Sequence, residues 1–112
     1  MANVYKNAQA TITSSGSDDP IYTVPSETTS VVKSNRMYNT DASARTVQTT
    51  ITDTSASADY IFDNVSVSAT NSVDVLTFNN VVVLEAGDIL KMQCATGNVI
   101  KVTVAVLEMT RT

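Results

Sequence analysis

The chain has 112 residues, 43% of them hydrophobic and 16% charged, with a formal net charge of −4 at pH 7. That length is one domain, 1–112, and the composition excludes a disordered tail, which carries more charge and far less Val and Ile. Seven basic residues scattered without a stripe argue against nucleic-acid binding, and no apolar run is long enough to cross a bilayer.

The chain has no His and no Trp, and Cys94 is its one cysteine. Val, Ile and Thr together make about a third of it, which suits a pleated sheet. In chain order, Val4, Ala8, Ala10 and Ile12 share one face of a first strand. Ser14 to Pro20 reads as a loop, so residues 1–19 form an amino-terminal arm plus loop. Ile21 to Val24 is a short strand stopped by Pro25. Thr28 to Asn39 is a longer strand, and Thr40 to Ser43 turns it into Arg45 to Asp53 as a hairpin. There Val47, Thr49 and Ile51 take one face, the pattern of an antiparallel sheet with one wet side.

Tyr60 to Ser68 and Ser72 to Phe78 follow as strands, then Val81 to Leu84 after Asn79-Asn80. Glu85 to Asp88 breaks that run. Ile89 to Ala95 and Val99 to Met109 form a final hairpin through Thr96-Gly97-Asn98. Its alternation predicts a core of Leu90, Met92, Cys94, Ile100, Val102, Val104 and Val106. The fold class is therefore all-β, an antiparallel two-sheet β-sandwich with jelly-roll or immunoglobulin-like wiring.

Two segments are apolar on both faces. One is Val81 to Leu84, and the other is the last strand, where Ala105, Leu107 and Met109 oppose the core positions. A sandwich covers one face of each sheet, so Val81, Val83, Ala105, Leu107 and Met109 are interface candidates. Self-association as a trimer is expected, with the arm Val4 to Ile12 as the rival cover.

Nothing in the residues signals an enzyme. Cys94 has no His to activate it and alternates with core positions. Asp59 and Asp63, four apart on a strand, share a face about 13 Å apart, too far to bind one ion unaided. Aromatics at 5% are too few for a sugar-stacking site, and three dispersed glycines make no phosphate loop. No cofactor and no metal are expected. The amino end has no apolar signal region, so synthesis in a cytoplasm is expected and the Asn64-Val65-Ser66 sequon reads as chance.

Three stretches carry a resemblance. They are Ile21-Tyr22-Thr23-Val24-Pro25-Ser26 with Thr28 to Ser34, Asn39-Thr40-Asp41 leading into Arg45-Thr46-Val47, and Leu84-Glu85-Ala86-Gly87-Asp88-Ile89-Leu90. Together, over roughly residues 20 to 108, the chain resembles small β-sandwich virion proteins of tailed bacteriophages, cyanophages especially. It departs from them at Glu27, where a turn glycine is expected. The resemblance implies a virion structural protein made in the host cytoplasm, foremost a capsid cement or decoration protein that binds the major capsid protein lattice, or other virion proteins, often as a trimer. A neck, tail or fibre component is the alternative, and a glycan-binding sandwich on the virion surface the second. The family supplies no catalytic residues.

Overall fold

The computed structural model describes residues 2–13, 18–74 and 82–110. Nine strands run through them and no helix: β1 (Ala2–Thr11), β2 (Asp19–Thr23), β3 (Thr28–Asn39), β4 (Arg45–Asp53), β5 (Ala58–Val67), β6 (Ser72–Asp74), β7 (Val82–Leu84), β8 (Ile89–Cys94) and β9 (Ile100–Thr110). They form two antiparallel sheets. Sheet A has the order β1-β9-β3-β6, with β7 also on β3, and sheet B the order β2-β8-β4-β5. With β6 and β7 taken as two pieces of one strand, this is jelly-roll wiring, which settles the choice against the immunoglobulin-like order.

The core lies between the sheets. Inward positions of β9 (Ile100, Val102, Val104, Val106) meet those of β8 (Leu90, Met92, Cys94), and Ile12, Val32, Met37, Val47, Val67 and Leu84 fill the rest. All seven core residues expected from alternation in the last two strands are buried.

Two expected hairpins are corrected. β3 and β4 lie in different sheets, as do β8 and β9, so the turns at Thr40–Ser43 and Thr96–Asn98 cross from one layer to the other. Alternation marks the inward face equally in either arrangement, so it cannot distinguish a hairpin from a crossing. Asn39 fastens the first crossing. Its Nδ2 donates to the Ser43 carbonyl at 2.9 Å and the Val67 carbonyl at 3.1 Å, and its Oδ1 accepts from the Asp41 amide at 2.9 Å. The β4–β5 pair is a true hairpin, closed by the turn Thr54–Ser57.

The amino-terminal segment is also corrected. Residues 2–11 are no loose arm and cover no outer face. They pair along the whole of β9 as the edge strand β1. The expected strand Ser72 to Phe78 is described only as far as Asp74, and residues 75–81 lie outside the described residues. Glu27, where glycine was expected, has φ of 55°, the left-handed conformation that glycine adopts most easily.

Candidate interaction surface

Antiparallel register stacks side chains into rows across a sheet, because partners directly opposite point the same way. On the outer face of sheet A one row runs Tyr5–Leu107–Val31–Val83 across β1, β9, β3 and β7. Asn3–Met109–Thr29 lies on one side of it and Asn7–Ala105–Ser34 on the other. Tyr5 is 74% exposed and Val83 60%, while Val31, Ala105, Leu107 and Met109 are half-buried by their neighbours alone.

Four expected interface residues therefore share this face. Val83 points outward, with Val82 and Leu84 inward, and Val81 lies outside the described residues. Tyr5 and Val31 complete the row and were missed. Each is ordinary in its own strand, and only cross-strand register brings them beside Leu107.

Basic residues that are scattered in sequence gather on the same face. Toward the far end the rows are Gln9–Thr103–Arg36 and Thr11–Lys101–Tyr38–Ser72. Arg36 and Lys101 are exposed, Arg36 donating to the Ser72 hydroxyl at 3.3 Å and Lys101 to the Thr11 hydroxyl at 3.1 Å. Lys33 stands exposed at the bulge between Val32 and Ser34, beside Tyr5, Asn7 and Ala105. The row through Arg36 continues to Asp74 on β6, so an acidic position shares this face with the three bases.

Under the apolar end lies a polar cluster that fastens the edge strand. Glu108 points inward and is 4% exposed. Its Oε2 accepts from the Tyr22 hydroxyl at 2.5 Å, and its Oε1 pairs with Lys6 Nζ at 3.0 Å. The Tyr22 hydroxyl also meets Ser30 Oγ at 2.7 Å. Burial opposes ionisation of Glu108 most strongly, but the Tyr22 and Lys6 hydrogen bonds and the Lys6 charge together hold its carboxyl below the usual 4.5. Burial first, then the Glu108 hydrogen bond, pushes Tyr22 up to about 12. The cluster joins β1, β9 and β3 of sheet A to β2 of sheet B.

Carboxylates elsewhere serve turns. Asp41 is held below its usual range, first by the Arg45 hydrogen bond and then by the Ala42 amide. Asp53 is lowered by the Ser55 hydroxyl and the Ala56 amide. Asp88 is buried and accepts from the Glu85 amide at 2.9 Å and the Thr54 amide at 3.4 Å. The expectation that Asp59 and Asp63 share a face is corrected. They sit opposite Thr52 and Thr49, and a bulge between puts the two positions out of phase. Among the described residues no three Cys, Asp or Glu side chains gather as metal ligands. Cys94 is buried in the core.

No protein-family model matches the chain, and no curated protein matches it. Its fold is similar to that of a solved structure from Bacillus endospore appendages, described as a novel family of disulfide-linked pili. The TM-score is 0.59 at 7% identity, covering 98% of this chain and 89% of that one. The likeness is one of fold: the β-sandwich of this chain is shared with a pilus protein.

Proposed function

We propose that this chain is a non-enzymatic structural protein of a bacteriophage virion, a cement or decoration protein that binds and stabilises the major capsid protein lattice as a homo-oligomer, most simply a trimer. The observation that carries the reading is the outer face of sheet A. An apolar row open to solvent across four strands is a surface made to be covered, and no segment of the described chain covers it. The bacteriophage identity itself rests on the strand-and-turn resemblance. Such a protein acts by linkage: it binds the assembled lattice more tightly than free subunits and so stabilises the lattice in proportion to its occupancy. That task asks for rigid geometry and complementary contact, with no titrating catalytic group.

A neck, tail or fibre subunit is the second reading, favoured by the fold shared with a pilus protein. Those pili are disulfide-linked, whereas the single Cys94 lies in the core, so a covalent link of that kind would require this sandwich to open.

The test is co-sedimentation of the purified chain with shells of the cognate major capsid protein. Saturable binding is expected, with loss of binding in the folded variant Leu107→Lys plus Val83→Lys. A folded wild-type chain that stays in the supernatant would remove the cement reading.

A further inference from the structure

An open sheet ends in edge strands, whose outer N–H and C=O groups have no ladder partner and are a template for another strand. Among the described residues, every edge of this sandwich is guarded but one. In sheet B, β2 is five residues long, holds Pro20 and is irregular before Tyr22, while β5 is bulged opposite Thr49 and Thr50 and carries Asp59. In sheet A, β6 and β7 are described over three residues each, and β6 reaches Asp74. β1 has none of these devices. It runs ten residues along β9 with no break in register and no proline. Its one charge, Lys6, is drawn to Glu108.

The ladder phase says which groups are free. Ile12, in register with Ile100 just beyond β1, donates its amide to the Ile100 carbonyl at 3.0 Å. In an antiparallel ladder, alternate residues aim both main-chain groups at the same neighbour. Ala10, Ala8, Lys6 and Val4 therefore aim theirs at β9. Thr11, Gln9, Asn7, Tyr5 and Asn3 aim theirs away from the sheet, and the last four of these are exposed. None of the five carries a charge.

The strand that fits such an edge is long, unbulged, uncharged and already extended. A disordered segment would be ordered only on pairing, at a cost in entropy. Of the edges a second copy offers, its own β1 meets the description. We propose that two copies pair through β1, antiparallel about a two-fold axis at Asn7, and so join their A sheets into one. The occupant of the edge is the β1 strand of a second copy. With Asn7 on the axis, Tyr5 lies opposite Gln9 of the second copy and Asn3 opposite Thr11. All five outward-aimed residues then pair, through about ten main-chain hydrogen bonds. An axis one residue earlier would set the two Lys6 charges against each other. Both outer faces look the same way and stay open. The pairing goes beyond the function proposed above, since it uses a surface other than the one offered to the shell, and a two-fold contact can stand beside a three-fold one.

Sedimentation velocity of the full-length chain over a range of concentrations should show monomer and dimer in equilibrium. Amide hydrogen exchange read by nuclear magnetic resonance locates the contact. The amides of Tyr5, Asn7 and Gln9 should slow about tenfold or more as the dimer forms, whereas those of Lys6 and Ala8 are protected in the monomer already. Asn7→Pro removes a donor at the axis but no bond to β9, and an edge strand tolerates proline. It should weaken pairing about tenfold or more. Asn7→Lys keeps every main-chain group and sets two like charges on the axis, so it should weaken pairing most at low salt. Circular dichroism confirms that each variant is folded. Leu107→Lys plus Val83→Lys should still pair. The proposal is overturned if the wild type is monomeric throughout, or if it associates while the Tyr5, Asn7 and Gln9 amides stay fast and both Asn7 variants associate like wild type. Protection of those amides only on adding shells would also overturn it and give the edge to the capsid protein. A monomer that still decorates shells would remove this proposal and leave the cement reading standing, whereas a β1-paired dimer that never binds shells would do the reverse.

Discussion

Replacing Glu108 by Gln probes the polar cluster with almost no change in shape. The carboxylate accepts a short bond from Tyr22 and pairs with Lys6, whose side chain is 54% exposed. Gln keeps an oxygen for Tyr22 but turns a charge-assisted bond into a neutral one, a loss of about 1 kcal/mol. Lys6 returns easily to water, so its half of the pair adds only about 0.5 kcal/mol. Glu108→Gln should therefore cost about 1–2 kcal/mol at pH 7, lowering Tm by about 5–10 °C. The pH dependence is the sharper part. A carboxyl held below its usual 4.5 contributes its full stability above that value and loses it as pH falls through the folded-state value. Urea unfolding of wild type and variant should show a constant gap from neutral pH down to mildly acidic pH, closing as the wild-type carboxyl protonates. A gap that persists undiminished in strong acid, or a variant as stable as wild type at pH 7, would refute the role given to Glu108.

Other substitutions test the fold. Val104 is fully buried opposite Asn35, and Val104→Asp should destabilise by several kcal/mol, on the order of an unpaired buried charge; normal melting would show the inward face of β9 to be misassigned. Glu27→Gly should stabilise by about 0.5–1 kcal/mol in thermal unfolding, because a left-handed residue with a Cβ is strained. Gly87→Ala should lower Tm, since φ is +86° and an added Cβ would stand 2.8 Å from Thr54 Oγ1; an unchanged Tm would contradict that geometry. Tyr22→Phe should flatten the alkaline fall in stability between pH 10.0 and about 12, where the raised hydroxyl otherwise favours the unfolded chain; an unaltered slope would place the titrating group elsewhere.

Much of the sandwich was legible because its strongest signal is local. The alternation through Leu90, Met92 and Cys94, then Ile100 to Val106, fixes which side chains face inward whatever lies beside them. The second apolar face was legible too, as Leu107 and Met109 sit at positions a half-wet strand leaves polar. What alternation cannot carry is the identity of neighbours. Tyr5, Val31 and Leu107 become one row only through the register of three strands far apart in sequence. The same is true of Tyr22 and Glu108, 86 residues apart. The gathering of Lys33, Arg36 and Lys101 on one face escaped notice because they come from two strands that only the sheet makes adjacent. The bulge between Asp59 and Asp63 escaped because one extra residue resets the phase without a glycine or proline to mark it.

A cement protein of a bacteriophage shell, as proposed above, is present in the virion in proportion to the shell. Quantitative mass spectrometry of purified virions measures that proportion as the ratio of this chain to the major capsid protein. A lattice-bound protein repeats with the shell's symmetry, so on the order of hundreds of copies per virion are expected. Absence from the virion, or roughly a few dozen copies at most as a neck or tail ring would have, would contradict the claim.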